Sequence, residues 1–264
     1  MTKLPTTMMN FRDKWDNQFR QSKTQSRLDK ATMAYFRAKF MALHLEDDLP
    51  DVKKLRDGNP YVDALCVAGE MTNEEFADWA ESDWLSRSAK LELRMGMFAY
   101  RTEFVKLFSW AIPNQVAIDK LVELSPLIEI GAGTGYWAWM VRNSGGKVKA
   151  YDAMMGAKPF WHNVSFGNER SARTKRGSLF LCWPDYATPV AFNALRMYRG
   201  DTVCYVGEGH GGCTGDDAFH ERLETDWELT DQITIPQYDG IHDRLEIWKR
   251  QSKSKKKFWT YYGV

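Results

Sequence analysis

Two acidic side chains, Glu129 and Asp152, bracket a run in which Gly131, Gly133 and Gly135 alternate with Ala132, Thr134 and Tyr136. Glycine permits backbone bends closed to other residues and lets a ligand lie against the main chain. The apolar stretch Leu127-Ile128-Glu129-Ile130 reads as a strand leading into this turn. A helix starting near Gly135 would then present free N–H groups to an anion or a polar ligand. Together these are the parts of a nucleotide-type cofactor loop. A dinucleotide fingerprint needs glycine at the first, third and sixth positions, and the sixth position here is Tyr136. The pattern is instead acidic-x-Gly-x-Gly-x-Gly. Lys147 to Asp152 reads as a second short strand ending in a carboxylate, 23 residues after Glu129. Nucleotide-binding α/β units place a ribose-binding carboxylate about 20 residues after the glycines.

The acidic-x-Gly-x-Gly-x-Gly run resembles motif I of the class I S-adenosylmethionine-dependent methyltransferases. Ser109-Trp110-Ala111-Ile112-Pro113 before it, Gly135-Tyr136-Trp137-Ala138 within it and Leu181-Cys182-Trp183-Pro184 after it look like a poorly characterised methyltransferase-like family. Gly207-Glu208, Gly212-Cys213-Thr214-Gly215 and the closing strand pair fit the same picture, so the resemblance spans roughly residues 105 to 250. It implies S-adenosylmethionine as cofactor and methyl transfer as the activity. The residues it implies around the cofactor are Trp110, Glu129, Gly131, Ala132, Gly133, Gly135, Tyr136, Asp152, Asn168, Cys182 and Trp183, with Asp152 on the ribose and Asn168 at the adenine edge.

In open α/β sheets, ligands bind beyond the carboxyl ends of the strands, so the loops there are where chemistry is expected. Trp183-Pro184-Asp185-Tyr186 occupies the place where amino-group methyltransferases of the resembled superfamily carry Asn/Asp-Pro-Pro followed by an aromatic residue. The Pro and the Tyr stand in register, but Trp183 replaces the polar residue and Asp185 the second proline. A usual DNA adenine or cytosine N-methyltransferase is therefore not expected. Trp183 and Tyr186 can still wall a planar substrate or the methylsulfonium, whose charge favours a π face. Trp183 buried at the sheet edge is an equally open reading. Asp185, Glu208 and His210 are candidate bases, with Asp185, Glu208 and Tyr186 taken as the catalytic set. His210, Cys213 and His220 match no zinc spacing, and no metal is expected. Asp216 and Asp217 read as helix caps, and His242 as part of the closing hairpin.

Around this site the chain changes character once. Before about residue 112 the apolar spacing is helical: Phe11, Trp15 and Phe19, then Met33, Phe36, Phe40, Met41 and Leu43, recur at three- and four-residue steps. Thr72-Asn73-Glu74-Glu75 reads as a capping box, Leu85 to Trp110 as a long helix, and Asp57-Gly58-Asn59-Pro60 as a turn. From Ser125 onward strands and helices alternate. The expected strands are Leu127 to Ile130, Val148 to Tyr151, Val164 to Phe166, Ser178 to Cys182, Thr202 to Val206, Glu228 to Ile235 and Arg244 to Lys249. The last two are joined through Pro236 to Gly240 and read as an antiparallel hairpin. The expectation is an α/β fold with a Rossmann-like, mostly parallel seven-stranded methyltransferase sheet whose last strand is antiparallel. It comprises a helical module over residues 1–112, a methyltransferase domain over 113–250 and a basic aromatic tail over 251–264.

With 264 residues, 44% of them hydrophobic, the chain can build a large core. It contains no run of about 18 apolar residues and no signal-peptide h-region after Met1, so a cytoplasmic, non-membrane protein is expected. Cys66, Cys182, Cys204 and Cys213 lack CxxC spacing and read as reduced thiols. The net charge of +1 hides a segregation: residues 1–45 balance to +6 and residues 46–83 to −9. Three basic stretches stand apart: the N-terminal helix, Arg170 to Arg176, and Lys249 to Lys257 followed by Phe258, Trp259, Tyr261 and Tyr262. Basic residues interleaved with aromatics neutralise phosphates and stack on bases, so RNA or DNA is the expected acceptor and partner. A small molecule, a protein side chain, or a binding subunit without turnover are the alternatives.

Overall fold

The structure is a computed structural model that describes residues 59–62, 65, 101, 104, 105, 108–154, 161–238 and 240–251. The chain divides into two compact units, Met1–Leu107 and Phe108–Val264. In the first, Pro60, Tyr61, Val62 and Leu65 are helical, as are Arg101, Phe104 and Val105, and the rings of Tyr61 and Phe104 lie 6.0 Å apart. Asn59 caps the helix entered at Pro60, its Oδ1 accepting from the Val62 N–H at 3.4 Å. The stripes of Phe11 to Leu43, the capping box at Thr72 and the C-terminal tail from Ser252 onward lie outside the described residues. The expected helix through Trp110 does not reach that far, because Phe108, Ser109 and Trp110 are non-helical. The Ser109 hydroxyl donates to the Ala111 carbonyl at 2.6 Å, a local bond that competes with helix. Pro113 disfavours the helical conformation at the residue before it.

In the second unit seven strands form one sheet: β1 (Leu127–Ile130), β2 (Val148–Asp152), β3 (Val164–Phe166), β4 (Ser178–Cys182), β5 (Thr202–Gly207), β6 (Trp227–Thr234) and β7 (Arg244–Arg250). Their order is β3-β2-β1-β4-β5-β7-β6. The first five are parallel, while β7 inserts antiparallel between β5 and β6. Each expected strand is present, with ends displaced by at most one residue. Buried parallel strands must be apolar on both faces, and β1 and β5 are buried along their whole length.

Among the described residues of this unit four helices cover the sheet: α1 (Gln115–Glu123), α2 (Tyr136–Asn143), α3 (Val190–Met197) and α4 (Asp217–Asp226). One core is continuous through Ile128, Ile130, Leu179, Leu181, Val203 and Tyr205 of the sheet, Ala191, Ala194 and Leu195 of α3, and Phe219 and Leu223 of α4. Ala172, in the 3-10 turn Glu169–Ala172, joins it. Trp137 of α2 meets Phe180 of β4 at 5.8 Å. The Arg250 guanidinium lies 4.2 Å from the Trp227 ring, which also stacks on Tyr198. Asn114 both starts α1 and ties it to the far edge of the sheet. Its Oδ1 accepts from the Ala117 N–H at 2.9 Å, and its Nδ2 donates to the Thr234 carbonyl at 3.0 Å.

Losing an N-cap side chain costs about 0.5–2 kcal/mol, so Asn114→Ala should destabilise the second unit by about 1–2 kcal/mol. Asn114→Asp keeps the cap acceptor but has no donor for Thr234, and should recover only part of that loss in urea denaturation. Equal stability of wild type and both variants would remove this residue from the fold's supports.

Candidate functional site

The carboxyl ends of β1, β2, β3, β4 and β5 face one rim, and the loops leaving them build the site. Behind β1 the chain turns through Gly131 (φ 77°), Gly133 (φ 53°) and Gly135 (φ 76°). The two outer cases differ in what surrounds them. A Cβ on Gly131 or Gly133 would meet nothing within 4 Å, whereas one on Gly135 would press on His162 Cβ and Val164 Cγ2, each at 3.0 Å. Gly131 and Gly133 therefore line open space at the rim, while Gly135 is packed against the end of the sheet. The turn is pinned from the neighbouring strand. Gly131 N–H and Ala132 N–H both donate to the Tyr151 carbonyl, at 2.8 and 3.1 Å, and Gly133 N–H donates to Asp152 Oδ2 at 2.8 Å. Asp152 Oδ1 accepts from Met154 N–H at 2.7 Å. Each carboxylate oxygen keeps a further lone pair, so Asp152 can hold the loop and still accept from a ligand hydroxyl.

Glu129 sits beside this turn with only 1% of its surface exposed, and its Oε2 has no hydrogen-bond partner. Burial, reinforced by the nearby charge of Asp152, pushes its carboxyl up to about 8. The group is thus mostly neutral at pH 7, a carboxylic acid kept in reserve at the floor of the loop. Tyr136, by contrast, is fully buried. Its ring packs with Phe108 at 5.3 Å, Trp161 at 4.9 Å and Trp139 at 5.8 Å, an aromatic cluster under the start of α2. Thr134 Oγ1 donates to the Phe108 carbonyl and fastens the loop over that cluster. Asn168 is exposed and caps the 3-10 turn, accepting from the Arg170 N–H at 3.1 Å.

Behind β4, Trp183 adopts φ 50°, a left-handed conformation uncommon for a bulky residue and met chiefly where the surroundings enforce it. Three contacts do so. Its N–H donates to the Val206 carbonyl at 2.8 Å, its Nε1–H to Asp243 Oδ2 at 2.7 Å, and its ring stacks on Trp110 at 5.4 Å and 9°. Trp110 is half exposed, Asp243 is buried, and Tyr186 is exposed. Cys182 ends β4, its thiol pushed up well above the usual range by burial. Trp183 is thus neither lost in the core nor free: it is one leaf of an aromatic pair held at the rim.

Behind β5, Glu208 is buried, and each of its oxygens accepts one backbone N–H. Its Oε2 accepts from Cys213 N–H at 2.8 Å and its Oε1 from His242 N–H at 2.9 Å. Burial works to raise its pKa, but the Cys213 and His242 donors outweigh it and hold the carboxyl below its ordinary value. That makes Glu208 a clamp between the β5 loop and the β6–β7 hairpin. Thr214 completes the clamp, its Oγ1 accepting from Glu208 N–H at 2.7 Å and lying 2.6 Å from the Tyr205 hydroxyl. Asp185 faces the same loop through a bridge to Thr214, is exposed, and accepts from Ala187 N–H at 2.9 Å. His210 stacks on His220 at 5.5 Å and lies 3.6–3.7 Å from Asp217 and Glu224. His220 contacts the Thr214 carbonyl at 2.7 Å. Among the described residues no cluster suits a metal, and no helix is long and apolar enough to cross a membrane. Asp216 occupies the N-cap position of α4, but its side chain makes no capping bond.

A β3-β2-β1-β4-β5-β7-β6 sheet with β7 antiparallel, carrying a glycine turn behind β1 and a carboxylate behind β2, admits one fold assignment. It is the Rossmann-like methyltransferase fold. No family model and no curated protein matches the sequence. Solved structures similar to it include the N-methyltransferase NodS from Bradyrhizobium japonicum WM9 in complex with S-adenosyl-L-homocysteine, at 12% identity over 52% of this chain and 87% of that one, TM-score 0.37. The 1,6-didemethyltoxoflavin-N1-methyltransferase from Burkholderia thailandensis aligns at 12% identity over 65% and 92%, TM-score 0.39. An MtNAS mutant in complex with S-adenosylmethionine aligns at 14% over 95% and 100%, TM-score 0.40. The assignment rests on the strand order of this chain and not on those scores.

Within the methyltransferase fold, Gly131, Gly133 and Asp152 stand at the rim, and sequence reading passed over Asp243 and Thr214 as side chains that shape it. Asp243 stands in no motif and its partner Trp183 lies 60 residues away; Thr214 stands in the Gly212–Gly215 run, but that run gives no sign of its bonds to Glu208 and Tyr205. Two measurements test the site. Gly131→Ala and Gly135→Ala both place a side chain at positive φ, at a cost of roughly 1–2 kcal/mol, but only Gly135→Ala adds a collision. Thermal unfolding should therefore show the larger loss for Gly135→Ala. The second concerns Glu129. Below its ordinary value of 4.5 it is protonated folded or unfolded, and between 4.5 and about 8 only the folded chain keeps the proton. Stability from this group accordingly falls as pH rises through that window and levels off above it, at about 1.4 kcal/mol per pKa unit. Glu129→Gln should abolish that component, so its advantage over wild type in melting temperature grows from pH 5 to pH 8.5. An advantage independent of pH would contradict the assignment.

Proposed function

We propose that this protein is an S-adenosylmethionine-dependent methyltransferase and that its acceptor is a nucleic acid. The observation that carries the cofactor is the open backbone at Gly131 and Gly133, set between the unpartnered Oε2 of buried Glu129 and the Asp152 carboxylate. A Cβ at either glycine would fill the cradle, and two acidic groups suit a ligand that carries both hydroxyls and positive charge. S-adenosylmethionine, when bound, supplies an electrophilic methyl group on a sulfonium. Asp152 would accept from ribose hydroxyls, and Glu129 would ionise beside a cationic ligand. The aromatic pair Trp110 and Trp183, with exposed Tyr186, offers π faces for a planar acceptor. Asp185 is the rim carboxylate that would take a proton from that acceptor, since it is exposed, whereas Glu208 is buried and its engaged carboxylate holds the Cys213 and His242 segments. That same engagement favours one second reading, a cofactor-binding subunit without turnover.

Because Glu129 is mostly neutral before binding, a cationic ligand should expel its proton. Calorimetric titration with S-adenosylmethionine at pH 7 should give a heat that varies with the buffer's ionisation enthalpy in the wild type and not in Glu129→Gln. Asp152→Ala should weaken binding by about 10- to 150-fold, the equivalent of roughly 1.5–3 kcal/mol for hydrogen bonds to a charged group. Unchanged affinity in Asp152→Ala would overturn the cofactor assignment. With labelled methyl groups and RNA, DNA, protein and metabolite pools as acceptors, Asp185→Asn should lower turnover by about 10²- to 10⁴-fold with cofactor affinity intact. Cofactor binding with no labelled product from any pool would move the protein to the second reading.

A further inference from the structure

Away from the glycine loop, four arginines converge on one cavity. Arg170 and Arg173 come from the 3-10 turn and the residue that ends it, and Arg196 and Arg199 from the end of α3. With Met197 they line a cavity of about 490 Å³. The local backbone sets this convergence. Asn168 caps the 3-10 turn, Ala172 anchors it in the core, and the Arg199 N–H donates to the Thr174 carbonyl at 3.0 Å, so the two arginine pairs are fixed side by side. All four side chains belong to exposed residues. None forms an ion pair with a described residue, although elsewhere on this unit Lys120, Arg222 and Arg244 each have an acidic partner within 3.3 Å. Glu169, in the same turn, does not line the cavity. Exposed Lys175 and Arg176 extend the positive charge beyond it.

Guanidinium groups present planar, paired donors that match phosphate oxygens, and four of them without counter-charges repel one another until an anion enters. The cavity lies within the size range of small-ligand sites, roughly 300–1,000 Å³, room for a nucleotide unit or two and not for a duplex. The charge continues outward past it, which a free polyphosphate would not require. We propose that this cavity holds the phosphodiester backbone of a single-stranded nucleic acid. The strand's identity rests on the acceptor proposed above, to which the cavity adds a second holding point. Arg170 stands two residues past Asn168, so the track begins at the β3 end of the cofactor rim and runs along the flank formed by the 3-10 turn and α3.

The test uses the full chain and a fluorescent single-stranded RNA oligonucleotide, with anisotropy recorded from 50 to 200 mM salt. For single strands the salt slope is about −0.7 per phosphate neutralised. Four arginines then contribute about −2.8, a loss of about 50-fold across that range. Replacing all four with Gln should remove that contribution and weaken binding at 50 mM salt by at least about tenfold. Replacing them with Lys should keep the slope and lose only part of the affinity. Calorimetric affinity for S-adenosylmethionine should be equal in all three proteins, which also establishes that the variants fold. If the Gln variant binds RNA with the wild-type slope, the cavity is not the site and the proposal falls. It falls too if inorganic tripolyphosphate binds the cavity as tightly as the oligonucleotide. A wild type that binds the strand through these arginines but takes up no S-adenosylmethionine would sustain the cavity and overturn the methyltransferase reading.

Discussion

The burial of β1 on both faces and along both edges constrains everything else in this unit. Leu127 to Ile130 are paired with β2 on one side and β4 on the other, and none of the four side chains reaches solvent. A strand so enclosed can end only at the rim, and the chain must then reverse into α2 within five residues. Such a reversal takes three glycines at positive φ, and it strips the turn of side chains at the one place where the sheet offers a central crevice. The open turn is thus the geometric consequence of a central parallel strand that must turn quickly. The carbonyl of Tyr151 and the carboxylate of Asp152 keep it from collapsing. Glu129 carries the cost of this arrangement, an acid buried in the strand that stays neutral because ionising there is unfavourable.

The other half of the rim is built on a different principle. The loops behind β4 and β5 and the β6–β7 hairpin are not fixed by tight turns but laced to one another by buried polar side chains. Glu208 joins the β5 loop to the hairpin at His242, Thr214 joins it to β5 and to the Asp185 segment, and Asp243 takes the indole N–H of Trp183. Buried acids in such a lattice are strongly committed, since removing one donor leaves an unsatisfied charge. Trp183 shows what the lattice achieves. A bulky residue is held at φ 50° with its ring against Trp110, a posture with no local support in its own sequence.

How much of this was legible follows from the range of the forces involved. The seven strands, the glycine turn and Asp152 are written in local patterns: apolar runs of strand length, φ-permissive glycines and a carboxylate at a strand end. The short helices α1 and α3 are less visible, though Asn114 and the spacing of Ala191, Ala194 and Leu195 mark them in retrospect. Tyr136 sits in the motif yet packs its ring into an aromatic cluster, because motif position dictates its backbone and not where its side chain points. The task of Glu208 was not legible at all. Its partner His242 lies 34 residues away, and whether a strand-end carboxylate serves chemistry or architecture depends on whether backbone donors reach it first. The four arginines were visible only as two in a basic run and two on a helix end, and only the Thr174–Arg199 contact makes them one feature.

These two modes of construction divide the chemistry of the rim. On the β1–β2 side, a ligand would meet main chain, Asp152 and the buried Glu129, whose carboxyl burial pushes up to about 8. On the β4–β5 side, a ligand meets π faces and an acid whose lone pairs are not all spent. In the proposed methyl transfer the sulfonium would become a neutral thioether, and an acceptor that begins as a hydroxyl or an amide would pass on the positive charge by shedding a proton. Under that proposal the first side would face the charge present before transfer, and the second would receive the proton that appears after it. Glu208, held low in pKa by two backbone donors, is poorly suited to that second task and well suited to keeping Asp185 and Trp183 where they can perform it. The two acids that sequence reading took together as catalytic thus differ in what the fold asks of them: Glu208 is buried and ties the loops, and Asp185 is exposed.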